Sequence, residues 1–240
     1  MTQLPWLNQS TLEFPPIENA LQDPNGLLAA GGDLSAQRLV EAYRRGIFPW
    51  YEDDQPILWW SPDPRLVLVP DEIHISKSMT KILRKGEFRV TADLAFEDVI
   101  CACSDIKREG QRGTWIIDEM VEAYINLHDL GYAHSIEVWK GSKLVGGLYG
   151  IAIGAAFFGE SMFSEVSNAS KIALIALSQD LSHRGYRVID CQMETEHLKS
   201  MGAKVVSRIE FKSLLNQSIT EENESRLYPK KWLLTASNNP

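Results

Sequence analysis

The order of apolar segments between residues 133 and 192 constrains the fold of this chain more than any other feature. Three segments, HSIEVW, KLVGGLYGIAIG and AAFFGESMFS, have strand-like composition and are separated by short turns, which predicts an antiparallel meander. The next segment, NASKIALIALSQDLSHRG, has an apolar stripe at helical spacing, Asn168 or Ser170 as candidate N-cap, and Gly185 at its end. The strand YRVID follows. This order predicts an α+β fold.

The remaining segments extend this pattern and leave a smaller region before it. RLVLV and FRVTA are predicted strands around the helix SKSMTKILRKG, and DEMVEAYINLHDLGY is a predicted helix with Asp118 as its N-cap. A short helix, ETEHLKSMGA, and a last strand, KVVSRIEF, follow YRVID. The turn-rich N-terminal part has one clear helix, SAQRLVEAYRRG, capped by Asp33 or Ser35. The prolines of SPDPR predict a boundary between a small N-terminal domain (1–65) and a larger domain (66–240).

The order of meander, capped helix, strand, short helix and final strand resembles the acyltransferase fold of the GNAT superfamily. That resemblance implies a mixed, mainly antiparallel sheet flanked by helices, with a cleft for an acyl donor beside the central strand. Members that use acetyl-CoA hold its pyrophosphate in a Gly-rich loop that leads into the helix. The corresponding loop here, SEVSNASK, has no glycine and contains Glu165, which predicts an acyl donor other than CoA.

Charge and composition exclude several classes of protein. A net charge of −8 argues against a general nucleic-acid coat, although a local basic face is compatible with it. No apolar run approaches the roughly 18 residues of a membrane span, and MTQLPWLNQS lacks the pattern of a signal peptide, so we expect a cytoplasmic protein without membrane contact. The three cysteines have no metal-site spacing, which predicts no bound metal. Without a heptad repeat, a monomer is expected.

A series of short motifs then resembles one family, the leucyl/phenylalanyl-tRNA–protein transferases. From about residue 10 to about residue 215 the order matches throughout: GLLAAGGDLS, RGIFPWY, LWWSPDPR, GTWI, AHSIEVW, LVGGLYG, FFGESMFS, NASK and IDCQ. The resemblance implies transfer of Leu or Phe, and less well Met, from aminoacyl-tRNA to the N-terminal Arg or Lys of proteins. On the same resemblance, we expect the product to be marked for degradation by the N-end rule and the reaction to need no metal or organic cofactor.

Polar residues end the strand VIDCQ. Strand alternation predicts that Asp190 and Gln192 share the face toward the cleft and that Cys191 faces away. Asp190 is a candidate to accept a proton, directly or through Gln192, or to hold the incoming ammonium group; the alternative is a structural turn cap. Glu160 interrupts an apolar strand, and a carboxylate there must be paired. The family pattern places Glu160 in the aminoacyl pocket, where it either orients Gln192 or recognises the acceptor's cation; the alternative is a structural carboxylate satisfied by backbone N–H groups.

The resemblance also implies which side chains bind the donor. Four apolar positions match the family's pocket lining: Leu148, Phe157, Leu174 and Ile189. Leu148 occupies a position where the family pattern has Met, and Leu177 one where it has an aromatic ring. The order of preference for Leu, Phe and Met as the transferred amino acid is therefore left open. Trp50 and Trp115 match positions that sandwich the 3′-terminal adenosine, although packing alone would explain a tryptophan at either position.

One helix has a basic face. In SKSMTKILRKGEFR, helical spacing places Lys77, Lys81, Arg84 and Lys85 together. This face is a candidate phosphate-binding surface for tRNA, with a merely solvated face as the alternative. Two other functions also remain possible at this level: a CoA-dependent acyltransferase, and a non-catalytic module that binds basic N-termini and delivers proteins to a protease.

Overall fold

The computed structural model describes residues 4–105 and 116–223 of the chain. Its N-terminal part forms a four-stranded sheet in the order β1-β2-β4-β3. The elements are β1 (Trp6–Leu7), β2 (Leu27–Gly31), α1 (Ala36–Arg44), β3 (Phe48–Pro49) and β4 (Leu58–Trp60).

Helix α1 confirms one of the two predicted caps. The hydroxyl of Ser35 accepts a hydrogen bond from the backbone N–H of Arg38, as an N-cap does. Asp33 instead accepts from the N–H of Ser35 and forms an ion pair with the buried guanidinium of Arg38. Gly46, with φ +72°, lies just beyond the end of the helix and lets the chain turn toward β3.

A seven-stranded sheet forms the larger part of the molecule. Five of its six strand pairs are antiparallel, and β9 and β10 are parallel, which confirms the predicted α+β fold with a mixed, mainly antiparallel sheet. Its order is β11-β5-β10-β9-β8-β7-β6. The strands are β5 (Arg65–Leu68), β6 (Arg89–Ala92), β7 (Ala133–Lys140), β8 (Lys143–Ile153), β9 (Ala156–Ser164), β10 (Val188–Gln192) and β11 (Lys204–Val206).

Helices cover this sheet and bury its apolar side chains. They are α2 (Lys77–Arg84), α3 (Phe96–Ser104), α4 (Asp118–Asp129), α5 (Ala169–Arg184), α6 (Glu196–Ser200) and α7 (Arg208–Ser218). Helix α5 packs on β7, β8 and β9 in one apolar core, whereas α3, α4 and α7 contribute to a second core. The meander, the long helix and the strand after it, which suggested the GNAT-like arrangement, are therefore all present. No helix within the described ranges has the length and apolarity to cross a bilayer.

Two predicted details were wrong. The expected last strand, KVVSRIEF, ends at Val206, because Ser207 and Glu210 form a capping box that starts α7. The N–H of Glu210 donates to the Ser207 hydroxyl, and the N–H of Ser207 donates to the Glu210 carboxylate at 2.8 Å. In α4, Ile117 occupies the N-cap position, and Asp118 is the first helical residue.

The start of helix α5 is capped by a neighbouring strand. Asn168 occupies the N-cap position with φ +70°, and its side chain makes no capping hydrogen bond. The hydroxyl of Ser164, at the end of β9, instead accepts a hydrogen bond of 3.1 Å from the backbone N–H of Ser170. The predicted helix is confirmed, with a capping acceptor from outside the helix.

The N-terminal sheet and the larger sheet share an apolar core. Tyr43 of α1 packs against Phe158 of β9, with 5.2 Å between ring centroids, and its hydroxyl is hydrogen-bonded to that of Tyr124 in α4. Trp59 of β4 is fully buried in the same core. The domain boundary near residue 65 stays a prediction, while the packing couples α1 to the interior of the larger sheet.

Candidate active site

A cavity of about 560 Å³ opens beside the parallel strands β9 and β10. The paired register of these strands ends at Phe158 and Asp190, and the residues that follow on both strands line the cavity. Other parts of the wall come from β3, β8, α5 and α6. A cavity of this size matches the range of small-ligand sites.

Most of the wall is apolar. All four predicted pocket residues line the cavity, and none is more than 3% exposed: Leu148, Phe157, Leu174 and Ile189. Leu177 and Met162 extend the same surface. The arrangement suits a medium-sized apolar side chain, and such walls separate ligands that differ by one methylene by only about 1–3 kcal/mol.

Two polar side chains meet in this apolar wall. The side-chain amide of Gln192 donates a hydrogen bond of 2.7 Å to Oε1 of Glu160, and both residues line the cavity. Glu160 is 8% exposed. Burial raises the pKa of its carboxyl to about 7, although hydrogen bonds from Tyr43, Tyr124 and Gln192 oppose that rise. Near neutral pH this carboxyl can therefore both accept and return a proton.

A buried tyrosine pair supports the other oxygen of Glu160. The hydroxyl of Tyr124 donates to Oε2 of Glu160 at 3.1 Å and is itself hydrogen-bonded to the hydroxyl of Tyr43. Burial and the nearby Glu160 carboxylate raise the pKa of both tyrosines well above the usual value. Both phenols therefore stay protonated and fix the carboxylate in one orientation.

The prediction that Asp190 faces the cleft was wrong. The Asp190 side chain is completely buried and is absent from the cavity wall. Its carboxylate forms two parallel hydrogen bonds with Arg65, Nε to Oδ1 at 2.9 Å and Nη2 to Oδ2 at 2.7 Å. It also accepts the backbone N–H of Gln192 at 2.9 Å, which is the turn-capping arrangement considered as the alternative.

An irregularity in β10 explains why Asp190 and Gln192 do not share one face of the strand. The register between β10 and β5 shifts between Asp190 and Gln192, and Gln192 has φ +60°. Strand alternation is therefore broken, and Cys191 and Gln192 both line the cavity. Burial raises the pKa of the Cys191 thiol, so Cys191 stays protonated and is a poor nucleophile.

Trp50 lies at the edge of the cavity. Its side chain is 37% exposed and contacts the Trp60 ring at a centroid distance of 5.4 Å. The indole N–H of Trp60 donates to the backbone carbonyl of Trp50, which fixes the chain beside the cavity. Trp50 is thus available for stacking, whereas Trp115 lies outside the described residues.

The predicted basic face of α2 is exposed. Lys77, Lys81, Arg84 and Lys85 all face solvent, whereas Met79 is buried against the sheet core. The Lys85 ammonium lies 3.9 Å from the carboxylate of Glu87. This face is not part of the cavity wall, so any role in tRNA binding concerns a more distant part of the ligand.

Sequence reasoning missed several residues of the site. Arg65 is the buried partner of Asp190. The sequence feature that could have indicated it is a single arginine at the start of an apolar strand. Tyr43 and Tyr124 looked like ordinary core residues of two helices. His197 lines the cavity from α6, and burial lowers the pKa of its imidazole. Among the residues in the structure, no cluster of His, Cys, Asp or Glu is arranged to hold a metal ion.

Comparison with known proteins identifies the family. The chain matches the family model for leucyl/phenylalanyl-tRNA protein transferase over residues 67–216, and the model for the N-terminal domain of the same family over residues 32–63. It is 55% identical over 222 residues to the leucyl/phenylalanyl-tRNA–protein transferase of Pseudomonas fluorescens (strain Pf0-1), covering 92% of this chain and 98% of the relative. The enzyme of the same name from Hydrogenovibrio crunogenus is 53% identical over 229 residues, covering 95% and 88%.

Solved structures give a more distant likeness. A GCN5-related N-acetyltransferase from Kribbella flavida aligns with a TM-score of 0.36 and 9% identity, covering 70% of this chain and 60% of that one. The assignment rests on the family models and the curated relatives, which extend over both sheets. The chain belongs to the leucyl/phenylalanyl-tRNA–protein transferase family, and it is an aminoacyltransferase that moves an aminoacyl group from tRNA to protein.

Proposed function

We propose that this enzyme transfers Leu or Phe, and less well Met, from aminoacyl-tRNA to the N-terminal Arg or Lys of acceptor proteins. The observation that carries the proposal is the apolar cavity with the Glu160–Gln192 pair in its wall. The apolar part suits an aromatic side chain or an aliphatic one without a branch at Cβ, and in this proposal the ester and the amine meet at the polar pair. The product carries a bulky N-terminal residue and enters N-end rule degradation.

The chemistry requires positioning and one proton acceptor. The acceptor's α-amine attacks the carbonyl carbon of the aminoacyl ester; the C–N bond forms and the C–O bond to the tRNA breaks. The amine loses a proton, and the leaving 3′-oxygen gains one. Glu160 accepts the first and returns the second, because a carboxyl with a pKa of about 7 is well matched to an amine whose pKa is about 7.7–8.0.

Gln192 and Asp190 have different roles in this proposal. The Gln192 amide holds Oε1 of Glu160 and presents its own carbonyl to the reacting amine. Asp190 acts from behind the cavity wall, because its carboxylate is bound to Arg65 and to the Gln192 backbone. No metal or organic cofactor is needed for a reaction between an activated ester and an amine.

The tRNA is bound through its 3′ end and its backbone. We assign Trp50 to stacking on the terminal adenosine, with Trp115 as its expected partner on the other face of the base. The exposed cations of α2 are assigned to phosphates farther along the acceptor arm. The enzyme acts in the cytoplasm as a monomer.

Transfer can be tested directly with labelled donor. Radiolabelled Phe-tRNA is incubated with the enzyme and a peptide that begins with Arg, and the same peptide with an acetylated N-terminus is the control. The label should move to the free peptide alone. A CoA-dependent acyltransferase would leave the label on tRNA and acylate the peptide only in a parallel reaction supplied with acyl-CoA, and a binding module would retain the peptide while the label stayed on tRNA. Either of those results would overturn the proposal.

A further inference from the structure

Behind the cavity wall lies a buried ion pair. Arg65 is 1% exposed and Asp190 is 0% exposed, and two parallel hydrogen bonds join them. The Arg65 guanidinium carbon lies over the ring of Phe48 and over the ring of Phe211, at 4.8 and 4.7 Å from their centroids. Phe48 is also part of the cavity wall. Two aromatic rings and two hydrogen bonds thus hold the guanidinium, which leaves the Asp190 carboxylate little freedom to move.

The ion pair is connected to the cavity through one carboxylate oxygen. Oδ1 of Asp190 accepts from Nε of Arg65 and from the backbone N–H of Gln192, both at 2.9 Å. Gln192 has φ +60°, a conformation that costs a residue other than glycine about 1–2 kcal/mol. The hydrogen bond from its N–H compensates for that cost. Because this backbone geometry breaks strand alternation, it directs the Gln192 side chain to Glu160.

The stability of the protein does not by itself explain the pair. Replacing a buried ion pair by apolar side chains of similar volume is often neutral or stabilising, because desolvation offsets the attraction between the charges. This pair is hydrogen-bonded directly to the backbone of Gln192 in the cavity wall, which points to a role in the geometry of the site. On the basis of the proposed function, we propose that Arg65 is a positioning residue for aminoacyl transfer, acting through Asp190 to hold Gln192 against Glu160.

The test removes the charges without leaving one of them unpaired. In the double variant Arg65→Met/Asp190→Leu the charged pair and the acceptor for the Gln192 N–H are both absent. We expect kcat for transfer to fall about 10- to 100-fold, since a misplacement of about 1 Å can have that effect. The KM for Phe-tRNA should stay within about twofold, because the apolar wall and Trp50 remain.

A double-mutant cycle separates positioning from a general loss of structure. If Arg65 acts through Gln192, adding Gln192→Ala to the double variant should lower kcat little further than Gln192→Ala alone. The matched control is Arg38→Met/Asp33→Asn, which removes another ion pair with a buried arginine and should leave kcat unchanged. If the Arg65→Met/Asp190→Leu variant does not fold, Arg65→Lys provides the same cycle, because an ammonium group cannot make both parallel hydrogen bonds.

A wild-type kcat in the folded Arg65→Met/Asp190→Leu variant would overturn the inference. The inference would also be overturned if the combined variant lost kcat by the product of the two separate losses. That result would show that Arg65 acts independently of Gln192. These outcomes differ from failure of the proposed function, in which the wild-type enzyme itself would transfer no label.

Discussion

The hydrogen bond from the Gln192 amide to Oε1 of Glu160 joins β9 and β10 at the point where their backbone pairing has ended. Beyond that point, a hydrogen bond between two side chains connects the strands in place of backbone hydrogen bonds. Glu160 is held on its other oxygen by Tyr124. The main freedom left to this carboxyl is the gain or loss of a proton, and the proposed reaction uses that property.

Trp50 should contribute to donor binding more than to the chemical step. Stacking of an aromatic ring on a base is worth about 1–3 kcal/mol, so Trp50→Ala should raise the Kd for Phe-tRNA by roughly 5- to 150-fold. Equilibrium binding with labelled Phe-tRNA measures the change. Trp6→Ala is the control, since Trp6 is 70% exposed and lies outside the cavity wall. Equal effects of the two substitutions would contradict the assignment.

The size of the apolar wall should set the preference among donors. Leu174→Phe fills part of the cavity, so transfer of Phe should fall about 10- to 100-fold more than transfer of Leu. Competition between Leu-tRNA and Phe-tRNA gives the ratio of kcat/KM values directly. Leu181→Phe adds the same volume on the same helix, where Leu181 is buried away from the cavity, and should leave the ratio unchanged. A preference that moved equally in both variants would exclude a specific role for Leu174.

The basic face of α2 should determine part of the salt dependence of tRNA binding. Replacing Lys77, Lys81, Arg84 and Lys85 by Ala should reduce the slope of log K against log salt concentration by about 0.7–0.9 for each phosphate that the variant no longer binds. A minimal aminoacyl adenosine donor should bind the variant as it binds wild type. The control replaces Lys199, Lys204 and Lys212, each of which is paired with a glutamate elsewhere on the surface. An unchanged slope in the α2 variant would place the phosphate-binding residues on another surface.

Glu160 should make the protein less stable as pH rises. Its pKa is about 7 in the folded protein against an ordinary 4.5, so the folded state binds more protons than the unfolded state between these values. The free energy of unfolding should therefore fall by up to about 3 kcal/mol between pH 4.5 and pH 7, from about 2.5 pKa units at 1.36 kcal/mol each. Urea unfolding at pH 5 and pH 8 should show most of this loss in wild type and not in Glu160→Gln. A loss of equal size in the variant would assign it to other groups.

The sequence predicted the fold well because its strongest signals are local. The signals are the turns of the meander, the apolar stripe of α5 and the capping residue Ser35. Each of them depends on residues that lie close together in the sequence. The capping box at Ser207 was also a local signal, and it was missed because the alternation of KVVSRIEF suggested a strand. The S-x-x-E pattern that begins at Ser207 is the signal that identifies the helix start.

The site was predicted less completely, because its geometry depends on contacts between distant segments. The four apolar residues line one cavity, and Glu160 and Gln192 meet in its wall, while their roles stay predictions. The burial of Asp190 depends on Arg65, which lies 125 positions away in the chain, and on a bulge that strand periodicity does not reveal. A buried arginine partner turns a candidate base into a structural anion, and only the folded arrangement shows that partner.

The pH dependence of single-turnover transfer tests the role of Glu160 most directly. With the donor saturating, two groups must lose protons in wild type, the acceptor amine and Glu160, so log rate should rise below pH 7 with a slope approaching about 2. Glu160→Gln should react more slowly and with a slope of about 1. Glu137→Gln, which removes another buried carboxyl whose pKa burial raises, should keep the wild-type profile. If Glu160→Gln retains the wild-type slope and rate, Glu160 is not the group that accepts the proton.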